Sequence, residues 1–140
     1  MTELDVALGC YIISSSLNFL HKNAQMSHNN MRVSSVFVSL TDNLWRLGGL
    51  ENVCKEGGVD ERTVGDIVRC SSPQCPAAPE DTDGTFSSNL IHCRDSWMLG
   101  HMIIMLMERF NGKPDGGLMK FKQTVKKSYC NADPRKRPTI

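Results

Sequence analysis

Val36-Phe37-Val38-Ser39-Leu40-Thr41-Asp42-Asn43-Leu44-Trp45-Arg46-Leu47-Gly48-Gly49 is the stretch whose reading decides the fold. Val36 to Leu40 and Leu44 to Leu47 are short runs rich in β-branched and aromatic residues. Thr41-Asp42-Asn43 between them is turn chemistry, so the pair predicts a β-hairpin. Gly48-Gly49 breaks regular structure after it. From Glu51 to Arg94 the chain is rich in Gly, Pro, Ser and Asp. This predicts a long loop over 51–94, with a helical turn or two from Asp60 to Val68.

The rest reads as helix. Leu4, Ala7, Leu8, Tyr11, Ile12, Ser15, Leu17 and Leu20 recur at mostly helical spacing and predict a helix from Glu3 to His21. Lys22-Asn23 ends it, with a cation at the negative end of the dipole. Asp95 is read as the cap of a strongly apolar helix running to Phe110. Trp97, Met98, Leu99 and Met102 to Met107 leave that helix no polar face, which predicts burial all round and a core role for the methionines. Asn111-Gly112-Lys113-Pro114 stops it. Leu118, Phe121, Val125 and Tyr129 then predict the apolar stripe of a last amphipathic helix, with Lys120, Lys122, Lys126 and Lys127 outside the stripe. The predicted class is mainly α with one small β-hairpin.

With 140 residues, the chain is long enough for one domain with a core, and 40% hydrophobic against 22% charged residues fits a globular protein. Net charge is +1, but residues 113–140 hold eight Lys or Arg against Asp115 and Asp133, so that end is +6 and the remainder −5. Such an end steers anionic partners, or is a solvated helix face. Aromatic residues are too sparse among the cations to predict nucleic-acid binding. The six cysteines form no Cys-x2-Cys pair, so free thiols are expected, with Cys70, Cys75, His92 and Cys93 the one set from which a zinc site could be drawn. The longest apolar run is shorter than the ~20 residues a membrane span needs, so no transmembrane segment is expected.

Several short motifs stand in a telling order. They are Asn18-Phe19-Leu20-His21, His28-Asn29-Asn30, Val36-Phe37-Val38, Trp45-Arg46-Leu47-Gly48-Gly49-Leu50-Glu51 and Val53-Cys54-Lys55. Ala78-Pro79-Glu80, Asp95 to Gly100, Phe121-Lys122-Gln123-Thr124 and Asp133 to Pro138 follow. Together they resemble the C-lobe of a protein kinase, and more narrowly the Scy-like pseudokinases. The likeness runs the length of the chain and is poorest over Glu56 to Asn89. It implies a partial kinase-like domain over 1–140, C-lobe only, with 51–94 as an activation-segment-like loop. No Gly-rich phosphate loop or Val-Ala-Ile-Lys strand is found, which predicts a fragment or a short product.

What the resemblance implies for the site is mostly loss. Kinases use a catalytic-loop Asp as base, and an Asp and an Asn to hold magnesium. Asn30 stands in place of the base, Ser35 of the magnesium Asn, and Gly49 of the magnesium Asp. An amide is no proton acceptor near neutral pH, and magnesium prefers carboxylate and phosphate oxygens. Losing a general base alone costs about 10²–10⁴-fold in rate. Glu51 is the carboxylate that could compensate, and Arg32, in place of the catalytic-loop Lys, could still meet an anion. The frame residues carried over are His28, packed under the loop, Asp95, holding the loop backbone, and Glu80 paired with Arg137.

The expectation is therefore a catalytically inactive interaction or scaffold module with no cofactor and weak or no ATP binding. Its implied partners are proteins, of the trafficking machinery or ezrin-like, and its implied place is the cytoplasm, the Golgi or the cell cortex. The long loop and the basic helix from Lys120 to Lys127 are the expected binding surfaces. The alternatives are a divergent kinase with residual phosphotransfer and a helical fragment with no settled fold.

Overall fold

The computed structural model describes residues 2–55, 61–73, 75–84, 91–109 and 116–140. Helix α1 spans Glu3–Lys22, one residue longer than the periodicity predicts. Thr2 and Asp5 start it with a capping box: Thr2 Oγ1 accepts from the Asp5 N–H (3.1 Å), and Asp5 Oδ2 accepts from the Thr2 N–H (2.6 Å). Val6, Cys10, Ile13, Leu17 and His21 form its buried stripe, and Leu4, Leu8 and Tyr11 face outward. Gly9 lies flat on the Trp45 indole, where any Cβ would collide with the ring.

Four short strands follow: β1 (Met26–Ser27), β2 (Val36–Val38), β3 (Trp45–Leu47) and β4 (Cys54–Lys55). β2 and β3 form the expected hairpin, antiparallel, with Val36 opposite Leu47 and Val38 opposite Trp45. Its turn works as predicted. Asp42 Oδ1 accepts from the Leu44 N–H (3.0 Å), and Asn43 takes the left-handed conformation at φ 56°. A second ladder, β1 against β4, pairs Ser27 with Cys54. Two-residue strands carry too little pattern for the sequence to have disclosed it.

Among the described residues of 51–94, α2 (Glu61–Arg69) answers the helical turn or two predicted from Asp60 to Val68. β4, α3 (Pro79–Thr82) and the start of α4 (Ile91–Glu108) interrupt the predicted loop. Asp95 is thus a correction. It lies in the second turn of α4 and caps nothing, because its carboxylate is engaged elsewhere. Met98, Leu99, Met102, Ile103, Leu106 and Met107 are buried, and no residue from Trp97 to Met107 is exposed. They join the α1 stripe, Met31, Trp45, Ile67 and Val125 in one core. The last helix, α5 (Gly116–Ser128), buries only Val125 of its stripe, and Phe121 is left 42% exposed. The predicted stop at Asn111 to Pro114 falls outside the described residues.

Candidate functional site

The Ser27–Asn30 loop links β1 to the hairpin, and α4 passes beneath it. Asp95 is fully buried and joins three elements. Its Oδ2 accepts from the His28 backbone N–H (2.7 Å) and from His21 Nε2 (2.8 Å), and its Oδ1 from the Asn29 N–H (2.7 Å). A carboxylate accepting charge-assisted bonds in a dry site fixes backbone strongly. Asn29 needs that support, since it sits at φ 60°. Its Nδ2 donates to the Asn52 carbonyl (3.0 Å), and its Oδ1 accepts from Arg94 Nη1 (3.3 Å).

His28 is buried with both ring nitrogens used. Nδ1 accepts from the Asn30 N–H (3.2 Å), so Nε2 carries the proton and donates to the Gly48 carbonyl (2.9 Å). Burial pushes its pKa below 6.5, against the pull of the Asp95 and Glu51 charges and the bond to Gly48. Neutral His28 thereby ties the loop to the end of the hairpin.

Asn30, Ser35 and Gly49 meet at the rim. Asn30 is 4% exposed, and its Nδ2 donates to Glu51 Oε1 (2.6 Å) and to the Gly49 carbonyl (3.2 Å). Those two acceptors fix the amide's orientation, which leaves Asn30 Oδ1 buried with no partner among the described residues. Ser35 Oγ donates to the Asn30 carbonyl (2.7 Å). Gly49 sits at φ 70°, and a Cβ there would fall 2.5 Å from Ser35 Oγ and 3.0 Å from Asn30 Nδ2. Gly49 is held by sterics as well as by its backbone angle. Glu51 is exposed. Arg32 lies apart from this group and donates from Nη1 to the Cys70 carbonyl (3.4 Å).

Two buried ion pairs flank the loop. Arg137 meets Glu80 in a fork, Nη1 to Oε1 at 2.6 Å and Nη2 to Oε2 at 2.8 Å. Its other N–H groups donate to the carbonyls of Asn131, Cys93 and Ala132, so all five donors are used, and the guanidinium lies over the Trp97 ring. Arg94 meets Asp81 side-on, Nε to Oδ2 at 2.6 Å and Nη2 to Oδ1 at 2.5 Å. Sequence reasoning missed Arg94, Asp81 and His21. The one available signal was position: Asp81 follows Glu80, and Arg94 precedes Asp95.

Cys70, Cys75, His92 and Cys93 do not come together. Among the described residues no three His, Cys, Asp or Glu side chains are placed to hold a metal, and none of the six cysteines is in a disulfide. Burial pushes the Cys10 thiol up to about 11, and that of Cys130 also to about 11 against the charges of Arg137 and Lys126, which makes both poor nucleophiles. Among the described residues no helix is long and apolar enough to cross a membrane.

No protein-family model matches the chain. Aligned over 146 residues, the whole chain is 32% identical to the mouse protein-associating with the carboxyl-terminal domain of ezrin. It covers 19% of that relative, about a fifth of its length.

Proposed function

We propose that the chain is a protein-kinase-like C-lobe of the Scy-like kind that transfers no phosphate and serves as an interaction module. Its setting in this reading is the cortical cytoskeleton or intracellular trafficking, at the cell cortex or the Golgi, and its partner is a protein of the ezrin type. The relative's association with the carboxyl-terminal domain of ezrin and its 32% identity support the partner class.

The observation that carries the inactive reading is the rim. At the position of a base, the Asn30 amide offers donors to Glu51 and Gly49 and has no proton-accepting group. At the position of a magnesium carboxylate, Gly49 has its space closed by Ser35. Electrostatic stabilisation of a transferring phosphoryl group needs fixed opposite charge at those points. In this reading His28, Asp95, and Glu80 with Arg137 keep the frame, and no cofactor is used.

A second reading, a divergent kinase with weak ATP binding, has Glu51 in its favour: an exposed carboxylate lies 2.6 Å from the Asn30 nitrogen. Thermal-shift titration with ATP and magnesium separates the two, followed by radioactive phosphate transfer to a peptide. The expected result is no shift and no transfer. Transfer that disappears in Glu51→Gln would establish the second reading. Capture of the purified ezrin carboxyl-terminal domain tests the partner.

A further inference from the structure

We propose that the groove between α1 and the β2–β3 hairpin takes an arginine side chain of a partner protein. This rests on the interaction-module reading and gives that module a surface and its partner a chemistry. The groove holds about 400 Å³, within the roughly 300–1,000 Å³ of ligand sites. Gly9 and the Trp45 indole, both buried, form its floor. Leu8 of α1 and Val38 of β2 are apolar walls. Asp5 and Asn43 are its polar groups, and Asp5 is the one charged residue that lines it among the described residues.

Charge selects the occupant. Asp5 is in no ion pair among the described residues. The hydrogen bonds from Thr2 hold its carboxyl below the usual range, the charge of the amino terminus adding least, so it is ionised at neutral pH. Asn43 is exposed, and its amide oxygen is a second acceptor. Two acceptors beside apolar walls fit a guanidinium on an aliphatic stem: the head takes the oxygens and the stem covers Leu8 and Val38. A lysine ammonium is more strongly hydrated and offers no fork. The rim favours a protein over a free cation. Leu8 is 48% and Val38 52% exposed, and beside them in the chain Leu4 is 75% and Leu40 98% exposed. An arginine ringed by apolar contacts that exclude water is the pattern of an interface hot spot.

The probe is a labelled peptide with one arginine between leucines, titrated into the 140-residue chain by fluorescence anisotropy. Saturable, salt-sensitive binding is expected. Citrulline in place of the arginine keeps the shape without the charge and should weaken binding about tenfold or more. Asp5→Asn, whose amide oxygen can still accept from Thr2, should weaken it as much, and Val38→Lys should abolish it, while circular dichroism melts show both variants folded. Leu8→Lys serves if Val38→Lys does not fold. No binding, equal binding of the citrulline peptide, or equal binding by Asp5→Asn overturns the proposal. So does free arginine that binds as tightly as the peptide, or a concentration-dependent dimer that Val38→Lys abolishes. If the peptide fails while the ezrin carboxyl-terminal domain still binds, the groove is wrong and the interaction-module reading stands. If both fail, both fall.

Discussion

Beneath the Ser27–Asn30 loop, Asp95 holds the backbone N–H groups of His28 and Asn29 and Arg94 holds the Asn29 amide oxygen, whereas at its rim Asn30 Oδ1 has no partner among the described residues and Glu51 is exposed. The two regions are a few residues apart in sequence and follow different rules. On the underside, buried charge is answered: Asp81 by Arg94, Glu80 by Arg137, and Asp95 by two backbone N–H groups and His21 Nε2. On the rim, the groups are neutral or exposed. Buried charge networks have high stakes, since a fully satisfied network holds one geometry and a half-satisfied one is worse than none. The difference teaches that conformation is held from below by buried charge, whereas at the rim one exposed carboxylate, Glu51, meets a neutral amide.

The largest expected effect comes from breaking the underside. Arg137→Ala leaves the Glu80 carboxylate buried and strips donors from three carbonyls. Removing one partner of a buried pair costs about 3–5 kcal/mol. In a domain of this size that lowers the melting temperature by roughly 10–20 °C. An unchanged calorimetric melt would rule the fork out as a support of the fold. The exposed Asp42–Arg46 pair, 2.7 Å long, is the internal contrast: Arg46→Ala should leave the melt nearly unchanged.

Restoring carboxylates to the rim should cost less than breaking the underside. Gly49→Asp puts a side chain at φ 70° and against Ser35, for about 1–3 kcal/mol in urea unfolding. Ser35→Gly in the same chain should return part of that loss, because the two closest contacts belong to Ser35. Asn30→Asp sets a second carboxylate against Glu51 and turns a donor into an acceptor facing the Gly49 carbonyl, for about 1–3 kcal/mol. Glu51→Gln should recover most of it by supplying a donor. Full stability in Asn30→Asp alone would mean that the Asn30–Glu51 bond does not hold the rim, and would sharpen the contrast with the underside.

How much of this was legible follows the physics of each element. The hairpin and α4 were readable because turn chemistry and unbroken apolar composition are local signals. α1 was readable as a helix from its spacing, but its buried face was not: of the residues that gave the spacing only Leu17 is buried, while Val6, Cys10, Ile13 and His21 turn inward, His21 onto Asp95, 74 residues away. Asp95 was misplaced as a cap because Asp before an apolar run looks the same whether its carboxylate serves the helix or a distant loop. α2 answers the helical turn or two read from Asp60 to Val68, whereas α3 was not read because Gly, Pro and Asp dominate its surroundings. At the site, Asn30, Ser35 and Gly49 were singled out through resemblance and do meet in space. The Asp81–Arg94 pair was missed because nothing local marks two charges that find each other only on folding.

The smallest expected effect is a pH slope, and it probes how the two regions are joined. Neutral His28 accepts from Asn30 at the rim and donates to Gly48, while its backbone N–H is held by Asp95 below. Burial sets its folded pKa below the ordinary 6.5. The unfolded chain therefore binds more protons there as pH falls, and stability must rise with pH in that range. His28's contribution is fully present above 6.5, is lost as pH drops below 6.5, and levels off under the folded value. His101, its pKa also lowered by burial and by Arg137, adds a slope of the same sign, so wild type alone does not isolate the loop. The difference between wild type and His28→Gln does. Measured by urea unfolding at successive pH values, the advantage of wild type over His28→Gln should shrink steadily below 6.5 and stay constant above it. An advantage that does not change with pH would mean that His28 titrates alike in both states, and that the link from underside to rim does not depend on its neutral ring.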